Sequence, residues 1–127
     1  MRMGLAGVCL LATGTAARSE LPPQYYDSAR RLATSVIVVD ISSVDRLGEG
    51  QTIGRCRITG RVAAVERGSL RVGQPVTISV PCVGAAWRPR RGPFAGYRDA
   101  MLASTRRGRF FLAGDTLVRR GFDPLAQ

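Results

Sequence analysis

Two strand-like runs that each carry a cysteine at the far end constrain this chain more than any other feature. Cys56 opens the run Cys-Arg-Ile-Thr-Gly-Arg-Val-Ala-Ala, and Cys82 closes the run Val-Thr-Ile-Ser-Val-Pro-Cys. Successive side chains of a strand point to opposite faces, so hydropathy with a period of two marks a half-buried strand. Cys56, Ile58, Gly60, Val62 and Ala64 share one face of the first run, against Arg57, Thr59, Arg61 and Ala63. In the second run Val76, Ile78, Val80 and Cys82 lie opposite Thr77, Ser79 and Pro81. Residues 66–73 supply the turn, with Gly68 and Gly73 free to adopt positive φ. Both cysteines therefore fall on apolar faces.

A hairpin pivoting near Ser69 pairs Val62 with Val76, Gly60 with Ile78, Ile58 with Val80 and Cys56 with Cys82. Directly opposed residues hold their Cβ atoms about 4.5–5.5 Å apart, and a disulfide needs about 3.5–4.5 Å. The closer, non-hydrogen-bonded kind of pair suits it best. This register satisfies the apolar pattern and the cysteines together, and predicts a Cys56–Cys82 bridge. The alternative is a pair of buried free thiols. The compartment decides, because structural disulfides persist where the surroundings are oxidising.

The N-terminus points to such a compartment. Residues 1–17 combine a positive start at Arg2, a short apolar stretch and small residues at the end, the three parts of a secretory leader. The apolar stretch is shorter than the roughly 20 residues that span a bilayer. Thr15 and Ala17 favour cleavage after Ala17, with Ala16 close behind. Cys9 suggests a lipoprotein signal, but Val8 stands where such a signal needs a small residue. Removing the leader with Cys9 leaves Cys56 and Cys82 as an even pair, which in an exported chain implies one structural bridge. No histidine is present to activate a thiolate, and there is no Cys-x-x-Cys.

Residues 18–34 are expected to form an N-terminal arm or short helix, with Tyr25 and Tyr26 packing against the body or presenting a ligand surface. Residues 35–41 are β-branched and apolar on both faces as far as Val39, as expected of a central strand buried on two sides. Gly60, in mid-strand, marks a bend or bulge. Residues 83–93 form an arginine- and proline-rich connector containing Trp87, which is either an exposed platform or a cap on one end of the fold. Residues 94–104 suggest a short helix with Tyr97, Ala100, Met101 and Ser104 on one stripe. Strands follow at 109–113 and 116–120. Phe110 and Phe111 point to opposite faces, so one belongs to the core.

Five strands with a helix between the third and fourth is the layout of an OB-like Greek-key barrel, a mainly β fold. That domain is expected over 35–122, with a tail at 123–127. The pattern Cys56-x-Ile-x-Gly-x-Val-x-x-Val-x-Arg-Gly, then Gly73-x-x-Val76 and Val80-x-Cys82, resembles exported OB-type modules of the netrin/tissue-inhibitor superfamily. The resemblance spans about residues 35–113 and implies a disulfide-pinned barrel that binds a partner. In the metalloprotease inhibitors of that superfamily an N-terminal cysteine acts on the metal. Cleavage here leaves Arg18 or Ala17 in that place, so this activity is not carried over.

The absence of histidine argues against a triad or zinc chemistry, and the nine acidic residues form no tight cluster in sequence. No catalytic residue, metal site or cofactor is expected. The leading expectation is an exported, non-enzymatic binding or structural module whose partner is a protein or an envelope component. The alternative is a basic OB-fold that binds nucleic acid or another polyanion. The formal charge is +10, and every basic residue is arginine. Arg55, Arg57, Arg61, Arg88, Arg90, Arg91, Arg106 and Arg107 mark a possible anion-binding surface. Export disfavours nucleic acid and leaves anionic lipid or acidic glycan as polyanionic targets. The bland account of the same residues is a solvated basic surface.

Overall fold

The computed structural model describes residues 23–126, so the expected leader and Cys9 lie outside the described residues. The elements are α1 (Pro23–Arg31), β1 (Ser35–Asp45), β2 (Ile53–Arg67), β3 (Pro75–Val83), β4 (Tyr97–Arg98), α2 (Asp99–Ser104), β5 (Arg107–Ala113) and β6 (Thr116–Leu125). The fold is mainly β, as expected, but six strands rather than five form one curled, half-barrel sheet in the order β4-β3-β2-β1-β5-β6. The sixth is the two-residue β4, which pairs parallel with Cys82 and Val83. β1 is central, antiparallel to β2 and β5. Its apolar run Val36–Val39 is buried on both faces, as its composition predicts.

The inner face carries the core. Ile37, Val39, Cys56, Ile58, Val62, Ile78, Val80, Phe110, Leu112 and Phe122 meet there with Leu102 from α2. Phe110 is the core member of its pair, and Phe111 lies on the outer face beneath the Arg30 guanidinium at 4.6 Å. Curling brings β1 close over Gly60: a Cβ at that position would stand 2.2 Å from the Asp40 carbonyl oxygen. The mid-strand glycine is thus a point of close backbone approach beside three breaks of register between β1 and β2.

The hairpin register differs from the expected one by two residues. Gly60 faces Val76, Ile58 faces Ile78, Cys56 faces Val80 and Gly54 faces Cys82. The cause is the length of β2, whose last residues leave β3 and continue alone along β1, pairing Val65 with Ile37 and Arg67 with Val36. The chain turns back through Gly68 and Gly73, both at positive φ. Pairing with β3 resumes where the Val62 N–H donates to the Gln74 carbonyl. The disulfide forms nonetheless, on a diagonal: Cys56 and Cys82 are bridged with Cα atoms 5.8 Å apart. Sheet twist shortens one diagonal of an antiparallel pair enough to reach bridging distance. Both cysteines are fully buried.

The second helix is shorter than expected, and residues 94–96 precede it as loop. Its buried residues are Asp99 and Leu102, while Ala100 and Ser104 from the expected stripe are exposed. Asp99 is held by Arg46, with both oxygens at 3.3 Å.

The arm at 18–34 contributes a helix, α1. Arg67 at the end of β2 caps it by donating to the carbonyls of Arg30, Arg31 and Ala33, satisfying acceptors that a helix C-terminus leaves open. Arg30 ties the same helix to β6 through a paired contact with Asp123 at 2.8 and 2.9 Å.

The last strand also differs from expectation. It does not stop at Arg120 before a tail but runs on to Leu125, with Phe122 buried against Phe110. Three extra residues bow out of β6, because Leu117 pairs with Leu112 whereas Phe122 already pairs with Phe110. Arg120 lies in that bulge at φ 48°, the only non-glycine residue at positive φ among those described. Bulges re-aim side chains, and this one directs Arg119 and Arg120 away from the ladder.

Candidate functional site

On the outer face of the sheet, arginines alternate with carboxylates. Asp40 lies between Arg61 and Arg107 as cross-strand neighbours, and Arg107 closes on it at 2.7 Å. Glu66 takes two bonds from Arg109, at 2.8 and 3.0 Å. Asp123 faces Arg109 across β5 and β6 and pairs with Arg30. Hydrogen bonding from Arg109 holds the Glu66 carboxyl below its ordinary range and raises the Arg109 guanidinium in turn. Arg30, Arg107 and Arg109 are matched by carboxylates, and the face reads as a solvated surface.

A different arrangement occupies the seam between β3 and β6, where the curled sheet turns back on itself. A groove of about 400 Å³ runs there, walled by Tyr26 of α1, Arg55 and Pro81, the β6 bulge with Arg119 and Arg120, and Pro93 and Phe94 of the connector. Pro93 and Phe94 also wall a neighbouring hollow of about 450 Å³, formed with Thr52, Ile53, Trp87, Arg90 and Arg91. The two adjoin at Pro93 and Phe94 and are together termed the seam trough. Among the described residues that line it are five arginines and three aromatics, and no carboxylate.

The trough walls are held from several directions. The Arg120 guanidinium stacks between the rings of Tyr26 and Phe94, 4.7 and 4.8 Å from their centroids. Phe94 meets Tyr97 edge-on, and Tyr97 meets Phe122 edge-on in the core. The Tyr97 hydroxyl accepts from the Phe122 N–H at 3.1 Å, and burial pushes its pKa above the ordinary tyrosine value. This chain of rings carries the trough floor into the hydrophobic core. Arg55 is fixed by donating to Ser79 Oγ at 2.7 Å and to the Ser79 carbonyl at 3.1 Å. Arg98 lies 5.7 Å from the Trp87 ring. Trp87 is half-buried, part of a wall rather than a lone platform.

Of the arginines expected to bind anions, Arg55 lines the first hollow, and Arg90 and Arg91 line the second. Arg57 and Arg61 lie on the outer face of β2, and Arg61 donates to the Gly73 carbonyl. Arg88 bends back to the Ala85 carbonyl, Arg106 is exposed just before β5, and Arg107 pairs with Asp40. Arg119 and Arg120 complete the site without having been expected in it, and Tyr26, for which the sequence left packing or a ligand surface open, lines it. The signal for the first two is Arg119-Arg120-Gly121 inside a strand pattern, since a glycine there announces a bulge. No helix among the described residues is long and apolar enough to cross a membrane. No protein-family model, no curated protein and no solved structure matches this chain.

Proposed function

We propose that this chain is an exported, non-enzymatic binding module built on an OB-like barrel, and that its partner docks in the seam trough. The observation that carries the reading is the Cys56–Cys82 disulfide, fully buried and joining β2 to β3. A structural bridge of this kind belongs to chains that mature in oxidising compartments, in agreement with the leader-like residues 1–17. The OB-like assignment is supported by the order β3-β2-β1-β5-β6, by contact between β3 and β6 at the seam, and by α2 preceding β5. The netrin/tissue-inhibitor resemblance belongs to the same proposal, and the residues of this chain that carry it lie in β2, the following turn and β3.

The test is intact mass on chain recovered from the envelope or medium of an expressing cell, before and after reduction and alkylation. A chain lacking residues 1–17, unreactive to alkylation until reduced, is the expected result. A full-length chain in the cytoplasm with alkylatable thiols overturns the reading.

A further inference from the structure

We propose that the connector between β3 and β4 is a modification site: an endoprotease selective for arginine cuts it beside Arg91, and the two pieces stay assembled as one fold. Residues 84–96 form the longest stretch without helix or strand among the described residues, thirteen against seven at 46–52 and at 68–74. Arg88, Pro89, Arg90 and Arg91 are exposed in succession within it. The backbone bonds that anchor it lie near its start, from the Gly84 N–H to the Thr52 carbonyl and from the Trp87 N–H to the Gly84 carbonyl. An exposed loop of this length can be drawn out as the extended strand that a protease cleft takes.

A protease of this class reads two things: a guanidinium that reaches a carboxylate in its pocket, and a scissile carbonyl free to enter its oxyanion hole. Outside the connector, the arginines in turns and at the helix end fall short. The Arg71 carbonyl accepts from the Gln74 N–H at 3.0 Å, and the Arg106 carbonyl accepts from the Ile41 N–H at 2.9 Å. The Arg31 carbonyl is taken by Arg67 at 3.2 Å, and the Arg46 guanidinium is held on Asp99 at 3.3 Å. No hydrogen bond from another described residue reaches the carbonyls of Arg90 and Arg91. Arg88 precedes Pro89, whose ring and missing N–H make that bond a poor substrate. Hydrolysis between Arg91 and Gly92 consumes one water: its oxygen stays on the Arg91 carbonyl carbon as a carboxylate, and the Gly92 nitrogen leaves as a protonated amine.

The sheet holds the products together without a covalent link. Cys56 and Cys82 both precede the cut, so the bridge stays inside the first piece. The second piece keeps β5 laid on β1, from Arg107 against Asp40 to Leu112 against Ser35, and keeps Leu102, Phe110 and Phe122 in the core. What changes is the seam. Pro93 and Phe94 wall both hollows, and a cut just ahead of them turns that wall into a loose end. The nicked chain therefore presents a more open trough. The site is defined by the loop and not by export, which decides only which protease meets it.

The experiment digests the bridged chain with trypsin at a limiting ratio and follows the fragments by mass. Of the bonds within residues 23–126, the first cut is expected on either side of Arg91. The nicked chain elutes as one species in gel filtration, and its pieces part in denaturant without reductant. Acrylamide quenches Trp87, the only tryptophan, more strongly after the cut. The Arg90→Gln/Arg91→Gln variant, with circular dichroism unchanged, loses at least about tenfold in the rate of first cutting, since a pocket built for a cation rejects a neutral amide. Arg71→Gln, a surface change outside the connector, stays within about twofold. A first cut after Arg31, Arg46, Arg71 or Arg106 would overturn the proposal. So would pieces that separate in native buffer, unchanged quenching of Trp87, or equal losses in the two variants. A cytoplasmic chain with free thiols sinks the export reading alone.

Discussion

Reduction of Cys56–Cys82 gives the most direct measure of how the sheet is held. The bridge closes a loop with a sequence separation of 26. In the chain-entropy treatment a loop of that length stabilises by about 3.5 kcal/mol at 25 °C through restriction of the unfolded chain. Total stability of small domains is about 5–15 kcal/mol, so this is a large fraction of it. Urea unfolding of the oxidised and reduced chain, followed by circular dichroism, is the assay. With a urea slope of about 1–1.5 kcal/mol/M, the midpoint falls by about 2–3.5 M on reduction. The slope itself rises, because the uncrosslinked denatured state exposes more surface. A local effect accompanies the global one. Cys82 pairs with Tyr97 in β4, beside the connector that carries Trp87. Acrylamide therefore quenches Trp87 more strongly in the reduced chain under conditions where it is still folded. A stability difference below about 1 kcal/mol with an unchanged slope would refute the reasoning, since the unfolded chain would then gain nothing from being cut loose.

Three further perturbations test separate parts of the account. Gly60→Ala forces a methyl to within 2.2 Å of the Asp40 carbonyl unless β1 shifts, and is expected to destabilise by about 1–3 kcal/mol in thermal or urea unfolding. Phe110→Ala empties the centre of the core beside Phe122 and is expected to cost about 3–5 kcal/mol by the same measurement. The Glu66 carboxyl, whose pKa Arg109 depresses, contributes stability that is fully present above its ordinary value of 4.5 and is lost as pH falls through the lower folded value. An NMR titration of the Glu66 side chain should place its midpoint below 4.5, and Arg109→Ala should return it there.

Much of the architecture was legible because β-strands announce themselves through alternation. Cys56, Ile58, Ile78, Val80 and Cys82 lie inward as their spacing requires, and the doubly apolar run in β1 is central. Register was not legible to the residue. A shift of two keeps every side chain on its face, so hydropathy could not separate direct opposition of the cysteines from the diagonal pairing that sheet twist permits. The helical stripe in residues 94–104 misled because Tyr97 and Met101 do pack on the core, but from a two-residue strand and a single helical turn and a half. The candidate site was half legible. Arginine density marked the connector, and Arg55 was found with it. The pairing of Arg107 with Asp40, and the bulge that swings Arg119 and Arg120 beside Phe94, depend on contacts between segments distant in sequence.

A sheet that curls without closing leaves two unpaired rims, and in a strand-rich protein such rims are where one molecule templates the next into a fibre or a precipitate. Here both are blunted from within. Pro75 and Pro81 remove donors from β3, and Pro124 removes one from β6. The Ser79 carbonyl is covered by Arg55 and the Arg120 carbonyl by Arg30. Copies that approach rim to rim also meet like charge, since the chain carries a formal +10. The arginines thus oppose rim-to-rim pairing: each guanidinium that covers a rim carbonyl removes a place for a second copy to begin.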